Sequence, residues 1–152
     1  MKHIIKQILK EQLSDKVMTK VLSRLEKGLI KAPYYDNLDK IGLTQDEIKV
    51  VLEKFIGGKL TYGNGRLVIV QSENVEYKEY YDKSWVIRKF DGQFTTFMED
   101  SSGYLFEKEF DENGNMIGFK NSRGQWSKKE YDENNKLIYI EDSDEGIILD
   151  KR

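Results

Sequence analysis

The sequence predicts an α+β protein. An N-terminal three-helix unit spans residues 1–57, and an antiparallel β-meander of hairpin repeats, about 20 residues each, spans residues 60–152. Three observations predict it. Apolar residues recur at helical spacing up to Phe55 and at alternating spacing after Gly58. The stretch Phe110-Asp111-Glu112-Asn113-Gly114-Asn115-Met116-Ile117 returns further along as Tyr131-Asp132-Glu133-Asn134-Asn135-Lys136-Leu137-Ile138. Each copy is followed by a polar break, Ser122-Arg123-Gly124 and then Ser143-Asp144-Glu145-Gly146, with the serines at the same separation as the copies. A fixed period of this length marks an array in which each repeat is one supersecondary unit.

The helices follow in order. Ile4, Ile5, Ile8, Leu9 and Leu13 form an apolar stripe over residues 3–13, with Lys2, Lys6 and Lys10 opposite. Ser14 is placed to cap a second helix, whose stripe is Val17, Met18, Val21, Leu22 and Leu25. Gly28 then tolerates the positive φ that ends it. Residues 29–43 hold the only proline, Pro33, and read as a loop with a short helical turn near Asn37–Lys40. Thr44-Gln45-Asp46-Glu47 is a capping box: the Thr44 hydroxyl accepts the N–H three residues on, and Glu47 reaches back. The third helix, residues 45–56, buries Ile48, Val51, Leu52 and Phe55 and stops at Gly57-Gly58.

Strands are expected at 67–70, 77–81, 85–90, 94–98, 105–110, 116–119, 126–131 and 137–140, with a last one at 147–149. Asn64-Gly65, Asp91-Gly92 and Asn113-Gly114 supply residues that accept positive φ in hairpins. Stacked hairpins are expected to align like residues on neighbouring strands: Trp85/Leu105/Trp126, Phe90/Phe110/Tyr131 and Ile117/Ile138. Aromatic and β-branched cross-strand pairs each contribute about 0.2–1 kcal/mol, so such ladders select a register.

The units Phe110-Asp111-Glu112-Asn113-Gly114-Asn115 and Tyr131-Asp132-Glu133-Asn134-Asn135-Lys136 resemble YD repeats, the building block of Rhs-type proteins, with the pattern Tyr-Asp-x-x-Gly-Asn/Arg-Leu/Ile. Asn135 departs from it where glycine is usual. The resemblance implies an antiparallel β-repeat acting as a scaffold or binding surface. At this length it implies an open meander or small curled sheet rather than an enclosing shell. The basic N-terminus, with Leu9-Lys10-Glu11, also resembles the short capsid-targeting peptides of tailed phages.

Composition narrows the function. There is no cysteine, and His3 is the sole histidine, so thiolate sites, zinc sites and serine triads lack their parts. Gly57-Gly58-Lys59 follows a helix instead of opening one and makes no phosphate loop. The acidic turn Asp111–Asn115 lacks the spacing of an EF-hand. No catalytic residue, metal or cofactor is therefore assigned. Residues 1–57 carry 11 basic and 8 acidic side chains, and residues 58–152 carry 14 and 19. No run approaches the roughly 20 apolar residues of a membrane span. A soluble, cytoplasmic or virion-associated protein is expected.

The expected function is non-enzymatic protein binding, by a phage or bacterial accessory factor whose sheet face presents aromatic anchors and an acidic rim. Trp85, Tyr104, Trp126 and Tyr139 are the candidate partner-binding residues. The alternative is nucleic-acid binding through a winged-helix-like N-terminal unit, with Lys49 and Lys54 as the cations of its recognition helix. A homo-oligomer through the sheet edge or the N-terminal helix is a further expectation.

Overall fold

The computed structural model describes residues 15–64 and 67–152. The expected helix over 3–13, the Ser14 cap and His3 lie outside the described residues. Helix α1 covers residues 15–26, α2 is Tyr34–Lys40 and α3 is Gln45–Leu52. Ten strands then follow one another as an antiparallel meander in chain order: β1 Lys59–Tyr62, β2 Val68–Gln71, β3 Val75–Glu79, β4 Trp85–Asp91, β5 Phe94–Asp100, β6 Leu105–Phe110, β7 Met116–Asn121, β8 Trp126–Tyr131, β9 Leu137–Asp142 and β10 Gly146–Asp150. Secondary structure changes at Gly58, as the spacing of apolar residues indicates. The compact division comes later: a first unit ends at Trp85 and a second runs from Val86 to Arg152.

In the first unit the local signals do what their chemistry demands. Helix α1 ends in a Schellman pairing, in which Leu29 N–H bonds Arg24 O and Gly28 N–H bonds Leu25 O, with Gly28 at φ +71. Both halves of the Thr44/Glu47 capping box form. Helix α3 widens into a π turn, Glu53–Gly57, and the Glu53 carboxylate accepts the Leu60 N–H that opens β1. Strand β1 was not among the expected strands: Leu60 is its one buried residue, and so short a strand shows no period.

Helix α2 is longer than the turn expected at 37–40. No side chain of its own caps it, because Pro33 holds the N-cap position. Its orphan N–H groups are instead satisfied from β3. Tyr34 N–H bonds the Tyr77 hydroxyl, and Tyr35 and Asp36 N–H bond the two oxygens of Glu79. The Tyr77 hydroxyl donates in turn to Glu79 Oε1 at 2.7 Å. The inner row Leu60–Val70–Tyr77 is in register across β1–β3 and buried. The Tyr34 ring packs 5.2 Å from both Phe55 and Tyr77.

The second unit, β4–β10, is built differently. It contains no helix, and Tyr139 is the only residue in it that joins the buried core among the described residues. Its order comes from one turn used repeatedly. In the turns opened by Asp100, Asp111, Asn121 and Asp132, the N–H three residues on bonds the opening carbonyl, and the opening side chain accepts one or two further N–H groups. The residue three on has positive φ each time: Gly103, Gly114, Gly124 and Asn135. Two interleaved series result, opened at positions 100, 121 and 142 and at positions 111 and 132, and both advance by the same step. The serine breaks serve the first series. Ser122 and Ser143 each donate N–H to, and accept N–H from, the strand opened by Leu105 and Trp126.

One expectation is corrected. A repeat is two strands long, so equivalent residues sit on alternate strands: Trp85, Leu105 and Trp126 lie on β4, β6 and β8. They cannot stack on neighbours. Phe110 instead stacks on Phe94, with centroids 4.5 Å apart and planes at 23°.

Candidate functional site

Antiparallel register partners share a face of the sheet, so the strand register places each side chain. Phe97–Glu107–Lys120–Trp126 form one row across β5–β8. Glu109–Gly118–Lys128–Glu141 form the next across β6–β9. Tyr139 stands opposite Glu130 on the same face. Gly118 contributes no side chain, and a hollow of about 690 Å³ opens over it, bounded by Phe97, Glu107, Lys128, Trp126 and Tyr139.

The aromatic rings are dressed with cations. Lys128 Nζ lies 5.9 Å from the Trp126 ring, Lys89 Nζ 5.2 Å from Phe97, and the Arg152 guanidinium carbon 3.9 Å from Tyr139. Arg152 is held there by a two-point contact with Asp150, at 3.0 and 3.1 Å. The Tyr139 hydroxyl donates to Glu141 Oε2 at 2.7 Å. That hydrogen bond to the carboxylate is the main cause holding the Tyr139 phenol above its ordinary range. Lys120 pairs with Glu107 at 3.0 Å.

The four expected partner-binding residues are thereby separated. Trp126, 37% exposed, and Tyr139 share the hollow. Tyr139 is only 6% exposed, however, because Arg152 lies over its ring; it is a packing residue and not an exposed anchor. Tyr104 belongs to the opposite face, in contact with Phe106 at 6.3 Å and covered by Arg123 at 5.0 Å. Trp85 closes the first unit, 6.5 Å from Tyr77. The rim is not acidic: Glu107, Glu109 and Glu130 alternate with Lys120 and Lys128. Asp100, Asp111, Asp132 and Asp142 of the second unit are engaged in its turns. Ser102 holds Asp100 below the usual carboxylate range, and the Asn115 backbone N–H does the same for Asp111.

Phe97 and Gly118 were missed by sequence reasoning. The available signal was Gly118 itself, a glycine within a strand pattern away from any turn.

For the alternative, Lys49 and Lys54 are both exposed, beside Asp46, Glu47 and Glu53 on the same helical segment. Among the described residues no group of three or more His, Asp or Glu is placed to hold a metal ion, and no helix is long and apolar enough to cross a membrane. Compared with known proteins, the chain matches no family model and no curated protein.

Proposed function

We propose that the second unit is a protein-interaction module, a short YD-like β-meander that binds a partner protein through the face carrying Phe97, Gly118 and Trp126. One observation carries this reading. The strands β4–β10 have no helix of their own unit to cover them, and on this face the Phe97 and Trp126 rings carry lysine stems that a partner can displace or join. An exposed tryptophan beside a hollow is the usual form of an interface anchor. The resemblance of the turns to YD repeats, and of the N-terminus to phage targeting peptides, favours an accessory factor of a phage or bacterium, acting in the cytoplasm or carried in the virion.

The test is capture of a partner from bacterial lysate by wild type, Trp126→Ala and Gly118→Val, with light scattering to show whether the partner is a second copy. Gly118 has ordinary extended backbone, and a Cβ there meets Glu109 no closer than 3.5 Å. Valine places an isopropyl group on the floor of the hollow and raises strand propensity by up to about 1 kcal/mol. A partner retained by wild type and lost by both folded variants supports the reading; one bound equally by all three overturns it. If no protein is captured but DNA is shifted at low salt and released steeply as salt rises, the helical alternative with Lys49 and Lys54 takes over.

A further inference from the structure

We infer that a tyrosine-walled cleft in the first unit binds an arginine side chain carried on a peptide segment of another protein. The inference does not depend on the reading of the second unit. The cleft encloses about 690 Å³, room for an arginine and part of its flanking backbone. Its floor is the register row Tyr62–Val68–Glu79 of β1, β2 and β3. Tyr35 of α2 and the turn residues Tyr80 and Tyr81 wall it.

Three features point to a cation. First, the phenol rings around the cleft face solvent: Tyr62 is 51% exposed and Tyr81 69%. Ring faces attract cations through their quadrupole. Second, among the described residues the charged side chains lining the cleft are Asp36, Asp39, Glu79 and Lys83, with Lys40 paired to Asp36 behind them. Third, the walls are set before any ligand arrives. Tyr35 and Tyr62 meet edge to face at 6.2 Å. Glu79 and Asp36 are fixed by the capping of α2 and by Lys40, 2.9 Å from Asp36.

Arginine is favoured over lysine because a flat guanidinium can stack on a ring while its edge forks onto a carboxylate. The same combination occurs where Arg152 lies on Tyr139 and grips Asp150. In the cleft the exposed carboxylate beside the rings is Asp39, since Glu79 caps α2 and Asp36 is paired with Lys40 and Lys83. Its own cation, Lys83, reaches only to 3.8 Å from Asp36 and competes with the incoming charge.

The experiment is titration of the full chain, followed by two-dimensional NMR, with a blocked short peptide bearing one central arginine. Matched peptides carry citrulline, lysine or glutamate instead. Citrulline keeps the shape and removes the charge. Binding is expected to fall in the order arginine, lysine, citrulline, with none for glutamate. Asp39→Asn and Tyr81→Ala should each weaken the arginine peptide roughly two- to five-fold, the factor of one exposed charge or ring contact. Lys83→Gly should strengthen it by a similar factor. Lys83 sits at φ +69, a conformation glycine adopts without cost, so this variant keeps the fold. Equal binding of citrulline, weaker binding by Lys83→Gly, or no peptide-dependent shift at all would overturn the inference.

Discussion

At the scale of single residues, the chain depends on a few positions where only one side chain suits the backbone or the space. Gly58 is the sharpest. Its backbone is extended, so conformation alone would admit any residue. A Cβ there, however, would lie 2.6 Å from the Gln71 carbonyl carbon and 2.7 Å from its oxygen, both backbone atoms of the neighbouring strand. Gly58→Ala must therefore push β2 away from the end of the π turn. The expected loss is about 2 kcal/mol, typical of forced overpacking, and urea unfolding measures it; an unchanged midpoint would show that the strands separate freely. Asn135 shows the opposite tolerance. It holds φ +62 where the YD pattern has glycine, and its side-chain oxygen accepts a hydrogen bond from the Asn115 side chain at 3.0 Å. Asparagine is among the few residues that enter this conformation readily, and the hydrogen bond between turns offsets part of the cost.

At the scale of elements, α2 and the repeated turn are stabilised in contrasting ways. The turns are self-sufficient, since their capping donors and acceptors come from the turn itself. Helix α2 is not. It is far too short to persist alone, and its N-terminus is satisfied by Tyr77 and Glu79 of β3, a strand remote from it along the chain. Glu79 is 5% exposed. Glu79→Ala leaves the Tyr35 and Asp36 N–H groups and the Tyr77 hydroxyl without acceptors. It should cost roughly 2 kcal/mol or more and fray α2 first. Glu79→Gln keeps one acceptor oxygen and should recover part of the loss. Amide hydrogen exchange at Tyr35 and Asp36 separates the outcomes, because unchanged protection in the alanine variant would mean that the cap contributes little.

At the scale of the whole molecule, the ionisable groups define a pH window. Asp36, Asp82, Asp100, Asp111 and Asp150 are all held below the ordinary aspartate value of 3.8. The main causes are, in turn, Lys40, the Ser84 hydroxyl, the Ser102 hydroxyl, the Asn115 backbone N–H and Arg152. A depressed folded value means that their stabilisation is present above the unfolded value and is lost as pH falls through the folded ones. At the other end, burial pushes the Tyr35 phenol from 10.0 to about 12, and burial beside Glu79 pushes Tyr77 upward as well. A raised folded value gives stabilisation that is intact below the unfolded value and is lost as pH rises through the folded one. Thermal unfolding followed by circular dichroism should therefore show a plateau between about pH 4 and pH 10, with melting temperature falling on both sides. A melting temperature flat to pH 2 would show that the aspartate turns do not stabilise the fold.

What the sequence determined by itself is what short-range chemistry decides. The capping box at Thr44, the helix stop at Gly28 and the recurring aspartate turns at Asp111 and Asp132 each close over a few consecutive residues, so their letters suffice. The change from helix to strand at Gly58 was legible for the same reason, being a matter of local period. Only the tertiary structure decided the rest. It capped α2 from β3 and put Trp126 and Tyr139 on one face with Tyr104 on the other. It also laid Arg152 over Tyr139 and left a tyrosine cleft open in the first unit. Those outcomes depend on which strands pair and in what register. A tyrosine reads the same in sequence whether its neighbour across the sheet is a lysine, a glycine or a helix end, and that neighbour determines whether it is buried, charged or available to bind.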